Sequence, residues 1–232
     1  MDIEQLDIQR YLSTLPLFSD LSQPERERLA LGCRLRRLAR GEMVFRSGDP
    51  CEAFQVVVSG QVKLYVASPS GQEKVVEIIG PGHSFAEAFV FLERPHFVNA
   101  QSLADTLLIS VTKQAVFSEV ERDPRFSLHM LAGISRRLHR LIQDVESYTL
   151  HSGTQRLIGY LLRDVEVEGV ATEGGVTVSL PASKATIASR LSLTPEYFSR
   201  VLHELEAKNL VQIDKREIRI LDVQRLANFN SH

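Results

Sequence analysis

Glu196, Ser199 and Arg200 are the side chains in this sequence of 232 residues whose types and spacing suit them to reading a chemical surface. They fall in one short stretch, Thr194-Pro195-Glu196-Tyr197-Phe198-Ser199-Arg200, and separations of three and four residues bring them to one side of a helix. An arginine so placed donates two hydrogen bonds to guanine O6 and N7, a glutamate accepts from cytosine N4, and a serine can touch a thymine. His203 extends the same side one turn further. Each residue alone is an ordinary solvated side chain of a surface helix. Together, directly after a helix-opening Thr-Pro, they point to recognition of base edges in double-stranded DNA.

The flanking sequence supplies what must hold such a face. A first helix is expected from about Ser183 to Leu191, with Ile187 and Leu191 on its inner side. Ser192 and Leu193 make a turn. Thr194 then serves as N-cap of a second helix, Pro195 takes its first position, and Glu196 sits in the acidic first turn. Phe198, Val201, Leu202 and Leu205 give that helix a buried stripe, and Lys208-Asn209 ends it. Two alternating runs, Val211–Ile213 and Glu217–Leu221, flank a charged Asp214-Lys215-Arg216 turn. Two helices joined by a tight turn and followed by a small hairpin make a winged helix-turn-helix.

Upstream, Leu131, Ile134, Leu138, Leu141, Val145 and Tyr148 are spaced alternately by three and four residues, with Arg136, Arg137, Arg140 and Asp144 between them. That pattern predicts a long helix over 123–150 with a seam for a second helix, and hence a homodimer. A parallel pair would set two reading helices on successive turns of the major groove, about 34 Å apart. The alternative is one amphipathic helix lying on its own domain.

Charge is consistent with placed contacts rather than a basic surface. The chain carries 27 basic and 29 acidic side chains, a formal net charge of −2. Residues 1–122 hold 13 basic and 16 acidic groups, and residues 183–219 hold 7 and 5. Cys33 and Cys51 form no Cys-x-x-Cys pair, which argues against a zinc or iron–sulfur site and for free thiols. The acidic start and the lack of a long apolar run predict a cytoplasmic protein with no membrane partner. Neither a Gly-x-Ser-x-Gly, a His-Glu-x-x-His nor a phosphate-binding glycine loop occurs, which argues against an enzyme.

The N-terminal part changes period. Ile3, Leu6, Ile8, Leu12 and Leu15 form a helical pattern, and Ser22 with Glu25 a capping box. From Leu35 the period is two. Runs at Val44-Phe45, Phe54–Val58, Val62–Val66, Val75–Ile79 and Asn99–Val111, with glycine turns between, predict a barrel or jelly roll of seven or so strands. The fold class is therefore α+β, in three parts: a sensor barrel over 1–122, the helix over 123–150, and a winged-helix domain over 151–232.

On these motifs the chain resembles the CRP/FNR family of bacterial transcription regulators over nearly its whole length. Gly41, Gly48, Gly60, Gly71 and Gly82 match glycines of the family's cyclic-nucleotide-binding-like sensor. Glu196-Tyr197-Phe198-Ser199-Arg200 matches the E-x-x-S-R reader of its FNR branch, which implies half-sites like TTGAT in an inverted repeat and RNA polymerase as a partner. Pro195 stands where the cyclic-AMP branch has another arginine. The nucleotide cassette departs further: Phe85-Ala86-Glu87 keeps the acid but not the glycine, and Phe97-Val98 occupy the Arg-Ser positions. An apolar pair cannot hold a phosphate, so cyclic nucleotide is not the expected effector. The N-terminal cysteine cluster of an iron–sulfur sensor is missing too.

Phe85, Glu87, Phe89, Phe91, Phe97 and Val98 are then candidates for an effector pocket, although such residues also simply fill a barrel core. The Phe85–Ala88 run resembles the DNR/NnrR group of nitrogen-oxide regulators. That resemblance implies nitric oxide sensing through a haem in an apolar pocket, with His83 and His96 as the ligand candidates. A different small effector, or none, remains open.

Overall fold

The computed structural model describes residues 7–15, 18, 21–163 and 175–229, save the side chain of Arg140; Ile3, Leu6 and Pro16 lie outside them. Two compact units result, one of Met1–Ser70 with Val76–Leu141, the other of Gly71–Val75 with Ile142–His232.

The first unit opens with α1 (Ile8–Ser13) and α2 (Gln23–Leu31). Asp7 caps α1 through its carboxylate, and Ser22 with Glu25 forms the expected capping box on α2. Eight strands follow: β1 (Cys33–Leu38), β2 (Met43–Phe45), β3 (Ala53–Ser59), β4 (Val62–Ala67), β5 (Glu73–Ile79), β6 (Ser84–Phe85), β7 (Asn99–Ser102) and β8 (Thr106–Thr112). They form two four-stranded sheets, in the orders β1-β8-β3-β6 and β2-β7-β4-β5. The run from Asn99 to Val111 is two strands rather than one, since Leu103–Asp105 turn between β7 and β8. Gly60, at φ +80° in the β3–β4 turn, allows a close approach. A Cβ there would lie 2.4 Å from the Asp105 carbonyl oxygen.

Side chains from both sheets meet in one core: Val44, Phe45, Val62, Leu64 and Ala100 from one, Phe54, Val56, Leu108, Ile109 and Val111 from the other. Buried Gln55 on β3 is satisfied across the β3–β8 ladder, where Ser110 Oγ donates to its Oε1 at 2.5 Å.

Three helices complete this unit: α3 (Glu87–Leu92), α4 (Lys113–Arg122) and the 27-residue α5 (Pro124–Leu150), which continues into the second unit. The run Ala88–Leu92 reads as an apolar lining but folds as the short helix α3, because Ala86 at φ +73° breaks the strand at its start. Asp123 accepts a hydrogen bond from the Arg125 amide at 2.9 Å and starts α5. Phe126 and Met130, in its first turns, join the barrel core, where Phe126 stacks on Phe18 at 6.5 Å. The paired carboxylate oxygens of buried Glu119 on α4 hold Arg28 of α2 at 2.8 Å each.

The second unit contains the end of α5, then α6 (Gly153–Leu162), β9 (Val176–Ser179), α7 (Lys184–Arg190), α8 (Pro195–Ala207), β10 (Val211–Asp214), β11 (Glu217–Ile220) and α9 (Val223–Ala227). The hairpin gains a third strand, in the order β10-β11-β9. Leu157, Leu161, Ile187, Phe198, Leu205, Ile218, Ile220 and Leu226 are among its buried residues. Among the described residues no helix is long and apolar enough to cross a membrane.

Candidate nucleic-acid interface and sensor interior

The reader helix α8 is built from its own sequence. Thr194 Oγ1 accepts from the Tyr197 amide at 3.2 Å, and Pro195 takes the first helical position. Phe198, Val201, Leu202 and Leu205 are buried on the inner side. On the outer side Glu196, Arg200 and His203 are exposed and Ser199 is half-buried. The turn from α7 passes through Ser192 at φ +55°, and α8 ends at Asn209 with φ +54°, where the Leu210 amide returns to the Leu205 carbonyl at 3.0 Å. Glu206 Oε1 accepts from the Ile213 amide at 3.0 Å and so fastens the wing to the helix. The wing tip, Asp214-Lys215-Arg216, is exposed.

Sequence reasoning passed over Tyr197. Its ring lies under the Arg200 guanidinium, 4.8 Å from centroid to the central carbon, and its hydroxyl lies 3.4 Å from Thr154 Oγ1. A Cβ at Gly153 would come within 2.6 Å of that ring, so glycine is what admits it. The tyrosine thus stands as a platform that orients Arg200. Its signal in the sequence is only an aromatic residue three positions before an arginine, and its partners lie over forty residues away. His203 Nδ1 sits 3.6 Å from Glu206 Oε2, both well exposed, a weak contact.

In the barrel the candidate pocket residues are not all brought together. Phe85, Phe89 and Val98 are buried, but Phe91 is half-buried against Phe117, ring centroids 6.0 Å apart. Phe97 is 71% exposed and meets Phe89 only edge-on. It is not part of an interior lining: in the bend just before β7 Val98 is buried and Phe97 is exposed. Glu87 is 7% exposed, and its carboxylate already has a partner: Arg137 Nη1 of α5 lies 3.2 Å from Oε2. The same guanidinium donates to the Ser84 carbonyl at 3.1 Å and to Glu77 Oε2 at 2.5 Å.

The two histidines proposed as haem ligands are placed very differently. His83 is exposed on the turn before β6, its Nδ1 3.1 Å from the Pro81 carbonyl. His96 is buried, with Phe45 stacked on its face at 3.6 Å and Phe89 against it edge-on at 5.0 Å. Its Nδ1 is buried without a hydrogen-bond partner, and burial holds its pKa below the usual histidine value, opposed by the charge of Asp49. An orphaned nitrogen is the right kind of ligand atom. Phe45 covers one face of the ring, which does not bar a metal, since an imidazole nitrogen is met in the ring plane. Among the described residues there is no cluster of three metal-ligating side chains. Both cysteines are free, and burial pushes the Cys33 thiol up to about 12.

On α5, Leu128, Leu131, Leu138, Ile142 and Val145 are each between 57 and 63% exposed. Leu141 is less so, and Ile134 and Tyr148 are half-buried. The open apolar face thus includes Leu131, Leu138, Leu141 and Val145 of the expected seam and adds Leu128 and Ile142 beside them. The Tyr148 hydroxyl is directed inward, donating to the Arg190 carbonyl at 2.6 Å.

Comparison with known proteins completes these observations. Residues 35–123 match the cyclic nucleotide-binding domain family, and residues 155–229 match the Crp-like helix-turn-helix domain. The chain is similar to the CRP-like cAMP-activated global transcriptional regulator of Mycobacterium tuberculosis, 24% identical over 188 residues, 81% of this chain and 84% of the relative. It is similar to the crystal structure of DNR from Pseudomonas aeruginosa at 34% identity, covering 96% of this chain and 97% of that one with a TM-score of 0.52. FixK2 from Bradyrhizobium japonicum shares the fold at 22% identity, with a TM-score of 0.75 over 86% of this chain and 98% of that one.

Proposed function

The chain belongs to the CRP/FNR family of transcription regulators, and from that premise we propose that it binds, as a homodimer, an inverted repeat of TTGAT-type half-sites. It is a regulator, not an enzyme. The observation that carries the proposal is the outer face of α8, where Glu196, Ser199 and Arg200 stand together opposite the buried stripe, with Arg200 poised over Tyr197. Each is of a type that reads a base edge, and the wing beside it offers cations to the backbone. The exposed apolar face of α5 supports the dimer, since Leu128, Leu131, Leu138, Leu141, Ile142 and Val145 there lack cover in one chain. Bound to its site in the cytoplasm, the dimer would act through RNA polymerase.

For the effector, the reading is nitric oxide or another small molecule acting on the barrel, not cyclic nucleotide. Supporting it are the apolar Phe97-Val98 pair at the phosphate positions, the engagement of Glu87 by Arg137, and the likeness to DNR. A second reading, a regulator that needs no effector, is favoured by the closed packing of Phe45, His96 and Phe89.

A gel-shift comparison of the repeat with a scrambled duplex tests the DNA assignment. Arg200→Ala should abolish the preference while leaving the dimer folded, at a cost of about 1–3 kcal/mol per half-site. A variant that still prefers the repeat would show that another face does the reading. Addition of nitric oxide or cyclic AMP to the same assay separates the effector readings.

A further inference from the structure

Beside the reader lies a polar cluster that touches no part of the recognition face. Arg190, the last residue of α7, is only 8% exposed, yet it carries a charge. Its Nη2 donates to Asp144 Oδ2 at 2.7 Å, and its Nη1 donates to the Tyr148 hydroxyl. That hydroxyl in turn donates to the Arg190 backbone carbonyl at 2.6 Å. Asp144 and Tyr148 are four residues apart on α5, hence on one face of its last two turns. The end of α7 is thus gripped by side chain and backbone at once, through charge-assisted hydrogen bonds from a buried arginine to two half-buried partners. Arg156 of α6 holds the next two carbonyls, Leu191 at 2.7 Å and Ser192 at 3.3 Å. Ser192 then turns the chain straight into the Thr194 cap of α8.

We propose that Asp144, Tyr148 and Arg190 are positioning residues for operator binding: they fix the reader on the end of α5 and thereby set which half-site spacing the dimer accepts. The proposal rests on the reading of the chain as a dimer that binds an inverted repeat. Geometry supports the division of labour. Ile142 and Val145 occupy the exposed apolar face of α5, whereas Asp144 and Tyr148 face α7. If the two α5 helices pair, the phase between the two α8 helices depends on how stiffly each reader is held to its own α5. A looser joint costs little in contacts to a single half-site, but it relaxes the demand on spacing.

The test uses the full-length dimer and two duplexes, the inverted repeat and the same half-sites with one base pair inserted. The insertion moves one half-site by about 3.4 Å and rotates it by about 34°. The wild type should prefer the native spacing by about tenfold or more, because a misphased reader forfeits specific contacts. In Asp144→Asn/Tyr148→Phe that ratio should fall to about threefold or less, with the slope of affinity against salt unchanged, since no phosphate contact is lost. Tyr148→Phe alone, which removes one oxygen, should fall between the two and guards against a double variant that fails to fold. A variant that keeps the wild-type ratio overturns the proposal, as does an equal loss at both spacings, which would mean a role in folding only. Failure of the reading beneath it looks different: there the wild type itself would not prefer the repeat to scrambled DNA.

Discussion

Arg137 is the side chain through which the long helix holds the acidic residues of the barrel. Arg137→Gln would leave Glu87 nearly buried beside Glu77 with their shared cation gone. The side chains of Arg137 and Glu77 are 22% and 20% exposed, and that of Glu87 is 9% exposed. Removing one member of a fully buried ion pair costs about 3–5 kcal/mol, mostly as the penalty of an uncompensated charge. Partial exposure of two members lowers that, and the Ser84 carbonyl losing its donor adds about 1 kcal/mol. The expected loss is about 2–4 kcal/mol. If uncompensated charge is the cause, then in a Glu87→Gln background the same arginine substitution should cost about 1–2 kcal/mol less. Urea unfolding at one fixed protein concentration measures all four corners of the cycle, since a dimer's midpoint shifts with concentration. A single-variant cost below about 0.5 kcal/mol, the range of ordinary surface changes, would refute the reasoning. So would a cycle with no coupling.

Two further predictions concern α5 and the barrel interior. Ile142→Asp should yield a monomer by light scattering and bind the operator poorly, because the introduced charge would be desolvated in the seam, whereas Tyr148→Phe should stay dimeric; dimeric Ile142→Asp would place the interface elsewhere. His96 has a pKa held down by burial, so the unfolded chain binds its proton more readily than the folded one. Its contribution is complete above the unfolded value of about 6.5 and is lost as pH falls through the lower folded value. The stability of His96→Phe should therefore fall less than that of the wild type between neutral pH and pH 5, as read by thermal melts; parallel pH profiles would show that His96 does not titrate with unfolding.

Much of the reader was legible in the residues alone, because what builds it is local. An N-cap, a proline at the first helical position, a stripe at three- and four-residue spacing and an asparagine at the helix end act within one or two turns, so Thr194, Pro195, Phe198, Leu202 and Asn209 declare α8 without the rest of the chain. The alternating strands of the barrel declared themselves for the same reason, their period being a property of each strand. What the tertiary structure decided depends on partners distant in sequence. Tyr197 becomes the platform of Arg200 only because Gly153 makes room for it. The apolar run after Phe85 fits a lining as well as a helix, until the left-handed Ala86 ends the strand and starts α3. Glu87 reads as a pocket acid, but Arg137, fifty residues on, has taken it. On α5 two overlapping heptad patterns share Leu131, Leu138 and Val145, and spacing cannot choose between them. Packing adds what spacing lacks: Tyr148 is drawn inward by Arg190 and Ile134 is half-buried, while Leu128 and Ile142 join Leu131, Leu138, Leu141 and Val145 among the exposed side chains. Short-range rules determine which elements form, and only the fold determines which of their faces remain free.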